Sequence, residues 1–143
     1  DFTAIKRFIA AGVNVIMLSG DAFNERMAKK RNIDFYCSRN KDLSLDKSRY
    51  VEIFSDRYNI PVENMAFVGD DYFDLSIFRK LDHTFCPNDS PNIIKKHASV
   101  TLKSDGGSGV IVELYDLFES SGWLNEDAVA ALDKKEITSK EMS

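Results

Sequence analysis

The feature of this chain that most constrains its fold is the alternation of short apolar runs with longer amphipathic segments. The apolar runs are four to six residues long and include β-branched runs such as "VNVIML". The segments between them are seven to fifteen residues long and place apolar residues at helical spacing, as in "LDKSRYVEIFSDRYN". This alternation is typical of βαβ units, which build a parallel sheet covered by helices on both faces.

The pattern predicts an α/β fold, a Rossmann-like three-layer sandwich with a mainly parallel sheet whose strands are buried on both faces. Helices are predicted at 2–11, 21–32, 45–59, 72–81, 90–97 and 109–122, and strands at 13–18, 33–37, 64–69, 83–87 and 98–102. Ser90 is the predicted N-cap of the fifth helix, with Pro91 in its first turn. We expect one domain over residues 1–122 and a polar tail over 123–143, with a short helix near 126–134.

Polar side chains follow three of the predicted strands, at the edge where parallel sheets bind ligands. The first strand ends in Ser19-Gly20-Asp21, the third in Gly69-Asp70-Asp71 and the fourth in Pro87-Asn88-Asp89-Ser90. Lys47 is predicted in the first turn of the third helix, where the helix dipole disfavours an ammonium group. A hydroxyl, a lysine and an acidic pair at one edge can hold a phosphate group, and the acids can also hold Mg²⁺.

The stretch "VGDDYFDLS" puts Asp70, Asp71 and Asp74 within five residues. Like charges this close repel, and a divalent cation would neutralise them. The alternative is structural: Asp70 or Asp71 caps the helix that follows, and Asp74 is a surface residue in its first turn. Taken singly, Ser19 could equally be a turn residue and Lys47 part of a solvated helix face. The order and placement of all three features favour a site.

Net charge, apolar run length and cysteine placement limit which partners and compartments suit the chain. The formal net charge is −4, which argues against binding nucleic acid through phosphate attraction. No apolar run approaches the roughly 20 residues that span a bilayer. Cys37 and Cys86 lie in apolar runs and are expected to be buried thiols, which favours a reducing, cytoplasmic compartment.

These motifs resemble the haloacid dehalogenase superfamily of phosphatases, and more narrowly its cap-less branch of 3-deoxy-D-manno-octulosonate 8-phosphate phosphatases and related sugar-acid phosphatases. "AGVNVIMLSGD" is similar to the family's second motif, a strand that ends in Thr or Ser followed by Gly. The stretch from Leu45 to Leu81 is similar to the third and fourth motifs, a lysine that opens a helix and then the acidic loop. "CPNDSPNIIKKHASVTLKSDGGSG" is similar to the closing segment with its glycine-rich stretch.

The resemblance implies a Mg²⁺-dependent phosphatase that transfers a phosphoryl group to an aspartate and then hydrolyses the aspartyl-phosphate. It implies that Ser19 and Gly20 bind the phosphoryl group and that Lys47 neutralises it and orients the nucleophile. Asp70 would ligate Mg²⁺ directly, while Asp71 and Asp74 would act through water or by fixing Lys47 and the loop. The cap-less relatives associate as homotetramers, which is implied here as well.

The chain departs from the family pattern in three places. The nucleophile and its acid/base partner belong to a DxDG motif on a strand expected upstream of residue 1, and no DxD triplet occurs in the 143 residues. Asp21 stands where the family commonly has arginine. Ser108 and Val112 lie in a segment where the octulosonate enzymes usually carry arginines.

Two functions therefore stand: a phosphatase completed by an upstream segment, or a domain without catalysis kept for binding or assembly. A receiver domain is set aside because its acidic pair comes first along the chain and its lysine last. In the family the DxDG strand lies between the strands predicted here at 13–18 and 64–69. We expect the 143 residues alone to be inactive and to unfold without cooperativity.

Overall fold

A computed structural model describes residues 2–38 and 47–124 and divides the chain into two compact units. Among the described residues, one unit comprises 2–37 and 111–124, and the other comprises 38 and 47–110. The helices are α1 (Phe2–Ala10), α2 (Asn24–Lys30), α3 (Arg49–Tyr58), α4 (Leu75–Phe78), α5 (Asn92–His97) and α6 (Val110–Ser120). The strands are β1 (Ile16–Ser19), β2 (Asp34–Cys37), β3 (Ala66–Val68), β4 (His83–Cys86) and β5 (Val100–Thr101). Short 3₁₀ turns occupy Val62–Asn64 and Tyr72–Asp74.

The first unit contains the parallel pair β1–β2, in which Ile16 is the register partner of Asp34 and Ser19 of Cys37. Its apolar packing centres on Phe8 of α1, which is 4% exposed. The Phe8 ring meets Tyr115 and Phe118 of α6 edge to face, at centroid distances of 5.2 and 5.3 Å. This geometry is favoured for aromatic pairs and ties α1 to α6.

The second unit contains a three-stranded parallel sheet in the order β3–β4–β5. Its core is formed by Phe78, Cys86 and Ile94, with Phe67 packed against them. Because consecutive parallel strands pair here, the carboxyl ends of β3 and β4 lie at one edge of the sheet, where Gly69 N donates a hydrogen bond to Phe85 O at 3.1 Å.

The α/β class with parallel strands and intervening helices is confirmed, but several element ends differ from prediction. β1 begins at Ile16 rather than residue 13, and the predicted helix over 72–81 consists of a 3₁₀ turn followed by α4. Burial on both faces holds best for β4, whose Thr84, Phe85 and Cys86 are 0 to 3% exposed. The β1 side chains are only partly buried, since β1 has a single described neighbour, β2.

Three further predictions need comment. Ser90 is not the N-cap of α5: Pro91 occupies that position with extended ψ, and its carbonyl accepts the Ile94 and Lys95 N–H groups. Cys86 is fully buried and Cys37 partly so, and neither forms a disulfide. The helix predicted near 126–134 lies outside the described residues.

Within residues 2–38 and 47–124, no helix combines the length and the apolar character needed to cross a bilayer.

Candidate functional site

The candidate site begins at Gly69, directly after β3. A Cβ built on Gly69 would lie 2.5 Å from Asp74 Oδ2 and 2.6 Å from Phe67 Cε2, closer than side-chain carbons come to other atoms. Glycine is therefore required here, because the Asp74 carboxylate folds back over the end of the strand.

Asp74 closes the acidic loop, residues 69–74, and is only 4% exposed. Its Oδ2 accepts hydrogen bonds from the backbone N–H groups of Asp70 and Asp71, at 3.1 and 3.0 Å. Its Oδ1 accepts a hydrogen bond from Lys47 Nζ at 2.5 Å. The alternative that Asp74 is a surface residue is wrong, because its carboxylate is the acceptor that closes the loop.

Asp71 has the capping role that the structural alternative foresaw. Its side chain accepts from Phe73 N at 3.3 Å, and together with Asp74 it forms a reciprocal capping box around the turn Tyr72–Asp74. The Asp71 side chain thus fixes the backbone that follows Asp70.

Lys47 lies before α3 rather than in its first turn, because the helix begins at Arg49 and Ser48 is its N-cap. Lys47 is still next to the helix N-terminus, where the helix dipole disfavours an ammonium group. The Lys47 side chain is 15% exposed, and the described partner of its ammonium is Asp74. An ammonium group has three donors, so it can bond to Asp74 and to an anion such as a phosphoryl group at the same time.

Asp70 faces a fourth carboxylate, that of Asp89, which follows β4. Asp89 Oδ1 accepts from Gly106 N at 2.8 Å. A Cβ built on Gly106 would lie 3.5 Å from Asp89 Oδ1 and 4.0 Å from Asp70 Oδ2, so both carboxylates flank one backbone position. Desolvation and, next, the negative charges of Asp74, Asp71 and Asp89 raise the pKa of the Asp70 carboxyl above its usual value.

The sequence placed Asp89 at a strand end but assigned it no role. The signal that could have found it is the convergence of the β3 and β4 carboxyl ends at one edge of a parallel sheet. This convergence brings two stretches about twenty residues apart to one place.

The carboxylates fit part of a Mg²⁺ site. Within the described residues, no group of three or more His, Cys, Asp or Glu side chains converges closely enough to enclose a metal ion. Mg²⁺ usually takes only one or two protein carboxylates and completes its octahedron with water and substrate oxygens. Asp70 and the nearby Asp89 match that donor chemistry, and a bound cation would offset both the desolvation and the repulsion that raise the pKa of Asp70.

Ser19 and Gly20 belong to the first unit, whereas Lys47 and the acidic loop belong to the second. Ser19 Oγ accepts from Asp21 N at 3.1 Å and from Asn24 Nδ2 at 2.8 Å. Since a hydroxyl has two acceptor lone pairs and one proton, these bonds leave the Ser19 O–H as a donor for an anion. Asn24 was missed by the sequence analysis, because an amide on a polar helix gives no pattern of its own.

The chain is similar to known proteins in sequence and in fold. A family model described as haloacid dehalogenase-like hydrolase matches residues 21–114. The cobalt-bound deoxy-D-mannose-octulosonate 8-phosphate phosphatase of Haemophilus influenzae is 25% identical, with a TM-score of 0.75 over 85% of this chain and 70% of that one. The octulosonate 8-phosphate phosphatase of Moraxella catarrhalis was solved with magnesium, phosphate and a KDO molecule, and it is 17% identical to this chain. Its TM-score is 0.77 over 94% of this chain and 74% of that one, so it supports the fold and nothing more.

A curated relative from Metamycoplasma hominis, whose name marks it as a presumed phosphatase, is 26% identical over 69 residues. The match covers 48% of this chain and 24% of that protein, so the chain spans about a quarter of the length of this relative.

Proposed function

The chain belongs to the haloacid dehalogenase-like hydrolases, and from this premise we propose that it forms most of a Mg²⁺-dependent phosphomonoester hydrolase acting on a small phosphorylated metabolite. The observation that carries the proposal is the bonding of Asp74, which holds Lys47 and the Asp70–Asp71 backbone at once. An ammonium group and a carboxylate that can bind a metal are thereby kept at one edge of a sheet, as phosphoryl transfer requires.

Each side chain has a distinct task in this proposal. Asp70, with Asp89 beside it, would hold Mg²⁺, which when bound supplies positive charge to the phosphoryl oxygens. Lys47 donates to a phosphoryl oxygen while Asp74 fixes its position. The family resemblance implies that the Ser19 hydroxyl and the Gly20 backbone of the first unit bind a phosphoryl group. Asp71 keeps the turn in shape through its bond to Phe73 N.

The covalent step needs an aspartate of a DxDG segment, and we propose that such a segment lies upstream of residue 1. Its carboxylate oxygen attacks phosphorus and the bond from phosphorus to the substrate oxygen breaks, while the second aspartate of the motif protonates the leaving alcohol. Water then hydrolyses the aspartyl-phosphate and releases phosphate. Lys47 offsets the negative charge on the transferred group in both steps.

A sugar-acid phosphate such as 3-deoxy-D-manno-octulosonate 8-phosphate is the substrate class we propose, on the names of the Haemophilus and Moraxella proteins. Ser108 is exposed and Val112 is 42% exposed in the segment where the family resemblance implies arginines, so the acid group would need another partner here. We also propose that the protein is a cytoplasmic homotetramer that binds neither nucleic acid nor a membrane.

The test compares the 143-residue chain with a version extended upstream by a segment containing DxDG. We expect the extended protein to hydrolyse 4-nitrophenyl phosphate when Mg²⁺ is present and the shorter chain to be inactive. We also expect a cooperative thermal transition for the extended protein only. Hydrolysis by the shorter chain, or no hydrolysis by the extended one, would overturn the proposal.

A non-catalytic binding or assembly domain is the second candidate. It is favoured by one observation, that the 143 residues contain no DxD triplet and therefore no nucleophile of the family type. An extended protein that binds Mg²⁺ at Asp70 but shows no hydrolysis would support it.

A further inference from the structure

Two adjacent aromatic rings stand out on the acidic loop. Tyr72 and Phe73 are 62% and 74% exposed, while Ile77 and Phe78 in the same segment are 2% and 4% exposed. Isolated exposed apolar residues are common, but an adjacent exposed aromatic pair on a loop that is proposed to bind a ligand is informative. Within the described residues neither ring has an aromatic partner.

The backbone that carries the rings is held in place before any ligand arrives. The Asp74 carboxylate accepts from the N–H groups of Asp70 and Asp71, and the Asp71 carboxylate accepts from Phe73 N. Gly69 lets this arrangement close, since no Cβ fits between Asp74 and Phe67. Two rings presented by a braced turn lose little conformational freedom when a ligand packs on them.

The positions of Tyr72 and Phe73 along the chain put them within reach of the leaving group of the proposed reaction. Tyr72 and Phe73 follow Asp70 by two and three residues. A substrate whose phosphate is held near Asp70 and Lys47 extends its carbon skeleton past the phosphate, within reach of a turn this close along the chain. Ligand sites commonly combine aromatic walls with a few polar groups that fix the reacting end.

The surrounding charge restricts what can pack on the rings. Asp70, Asp71 and Asp89 are negative, and Lys47, the cation that contacts the loop, is bonded to Asp74. A second anionic group beside Tyr72 and Phe73 would be repelled by these carboxylates. An uncharged surface that presents C–H groups suits them instead, because polarised C–H bonds are attracted to the negative face of an aromatic ring.

We infer that Tyr72 and Phe73 form a platform for the uncharged, C–H-rich face of a sugar ring in the phosphorylated substrate. This inference rests on the proposed function and adds a specificity-determining pair to it. The rings select the carbon skeleton, while Lys47 and Asp70 act on the phosphoryl end. The acid group of a sugar acid would then lie away from this turn.

The experiment measures binding to the full-length protein with Mg²⁺, by calorimetry, for inorganic phosphate and for glucose 6-phosphate as probes. The variants are Phe73→Leu and Tyr72→Leu, which keep an apolar side chain without the aromatic face. Phe73→Tyr is the rescue variant, and Ile53→Ala is the control, since Ile53 is an exposed apolar residue of the same unit.

We expect each Leu variant to weaken glucose 6-phosphate binding by about fivefold to tenfold and to leave phosphate binding unchanged. Phe73→Tyr and Ile53→Ala should match the parent for both probes. Equal affinities across all variants would overturn the inference while leaving the proposed function intact. The Leu variants could instead lose self-association while the ratio of their affinities for glucose 6-phosphate and phosphate stays that of the parent. That result would assign the rings to contact with a second copy of the chain and would also overturn the inference. A parent that binds neither probe would overturn the proposed function and the inference with it.

Discussion

At the scale of single residues, the carboxylates of the acidic loop have different tasks although they look alike in the sequence. Asp74 is buried and bonded to two N–H groups and an ammonium, Asp71 caps a turn, and Asp70 faces Asp89. The sequence predicted that Lys47 would lie near these acids, and the contact with Asp74 confirms it. It could not predict which carboxylate turns inward, because three Asp residues within five positions carry the same charge and the same reach.

Replacing Asp74 with Asn tests this division of tasks. An amide cannot accept at both ends, so either Lys47 or the Asp70 and Asp71 N–H groups would face the amide N–H₂ donor. Breaking a buried ion pair typically costs about 3 kcal/mol or more of unfolding free energy. We expect a loss of that size in urea denaturation of the full-length protein.

Asp71→Asn is the matched control, since Asn caps as well as Asp and Asp71 is exposed. Its expected effect on unfolding free energy is below about 0.5 kcal/mol. Equal losses in the two variants would contradict the inward role of Asp74.

At the scale of elements, apolar periodicity predicted the order of the helices and strands that the structure describes within residues 2–38 and 47–122, but not their ends. The ends depend on bonds the periodicity does not contain. The proline ring constrains φ, and Pro91 with extended ψ starts α5 one residue later than Ser90 would. The capping box of Asp71 and Asp74 tightens the start of the fourth helix into a 3₁₀ turn. These local effects shift boundaries without changing the element order.

Gly69 links β3 to the acidic loop, and Gly69→Ala tests whether a side chain fits at this position. The added methyl group would lie 2.5 Å from Asp74 Oδ2, so the carboxylate or the strand must move. Overpacking of this kind costs about 2 kcal/mol. We expect that loss in urea denaturation.

Gly106→Ala is the comparison, because its nearest contact would be an ordinary 3.5 Å from Asp89 Oδ1 and its φ is not positive. This variant should unfold within about 0.5 kcal/mol of the parent. A Gly69→Ala protein as stable as Gly106→Ala would show that the loop has room the structure does not indicate.

At the scale of the whole molecule, the chain contains two compact units, each with its own parallel strands. The sequence predicted a single sheet with a further strand between the segments at 13–18 and 64–69, and that strand stays a prediction. Periodicity can identify a strand but not its neighbours, since pairing is decided by contacts distant in sequence. Asp89 and Gly106 illustrate this, because the pairing of β3, β4 and β5 brings them near Asp70.

The central claim is that Asp70 binds Mg²⁺. The measurement that tests it most directly is the Mg²⁺ dependence of thermal unfolding in the full-length parent protein and in its Asp70→Asn and Asp56→Asn variants. Asp56 is an exposed carboxylate on α3 and serves as the control for charge. A ligand that binds only the folded state stabilises it by about 2.7 kcal/mol at a concentration one hundred times its Kd. If Asp70 binds the cation, Mg²⁺ raises the Tm of the parent and of Asp56→Asn alike and leaves that of Asp70→Asn unchanged. An equal rise in all three proteins would contradict the account.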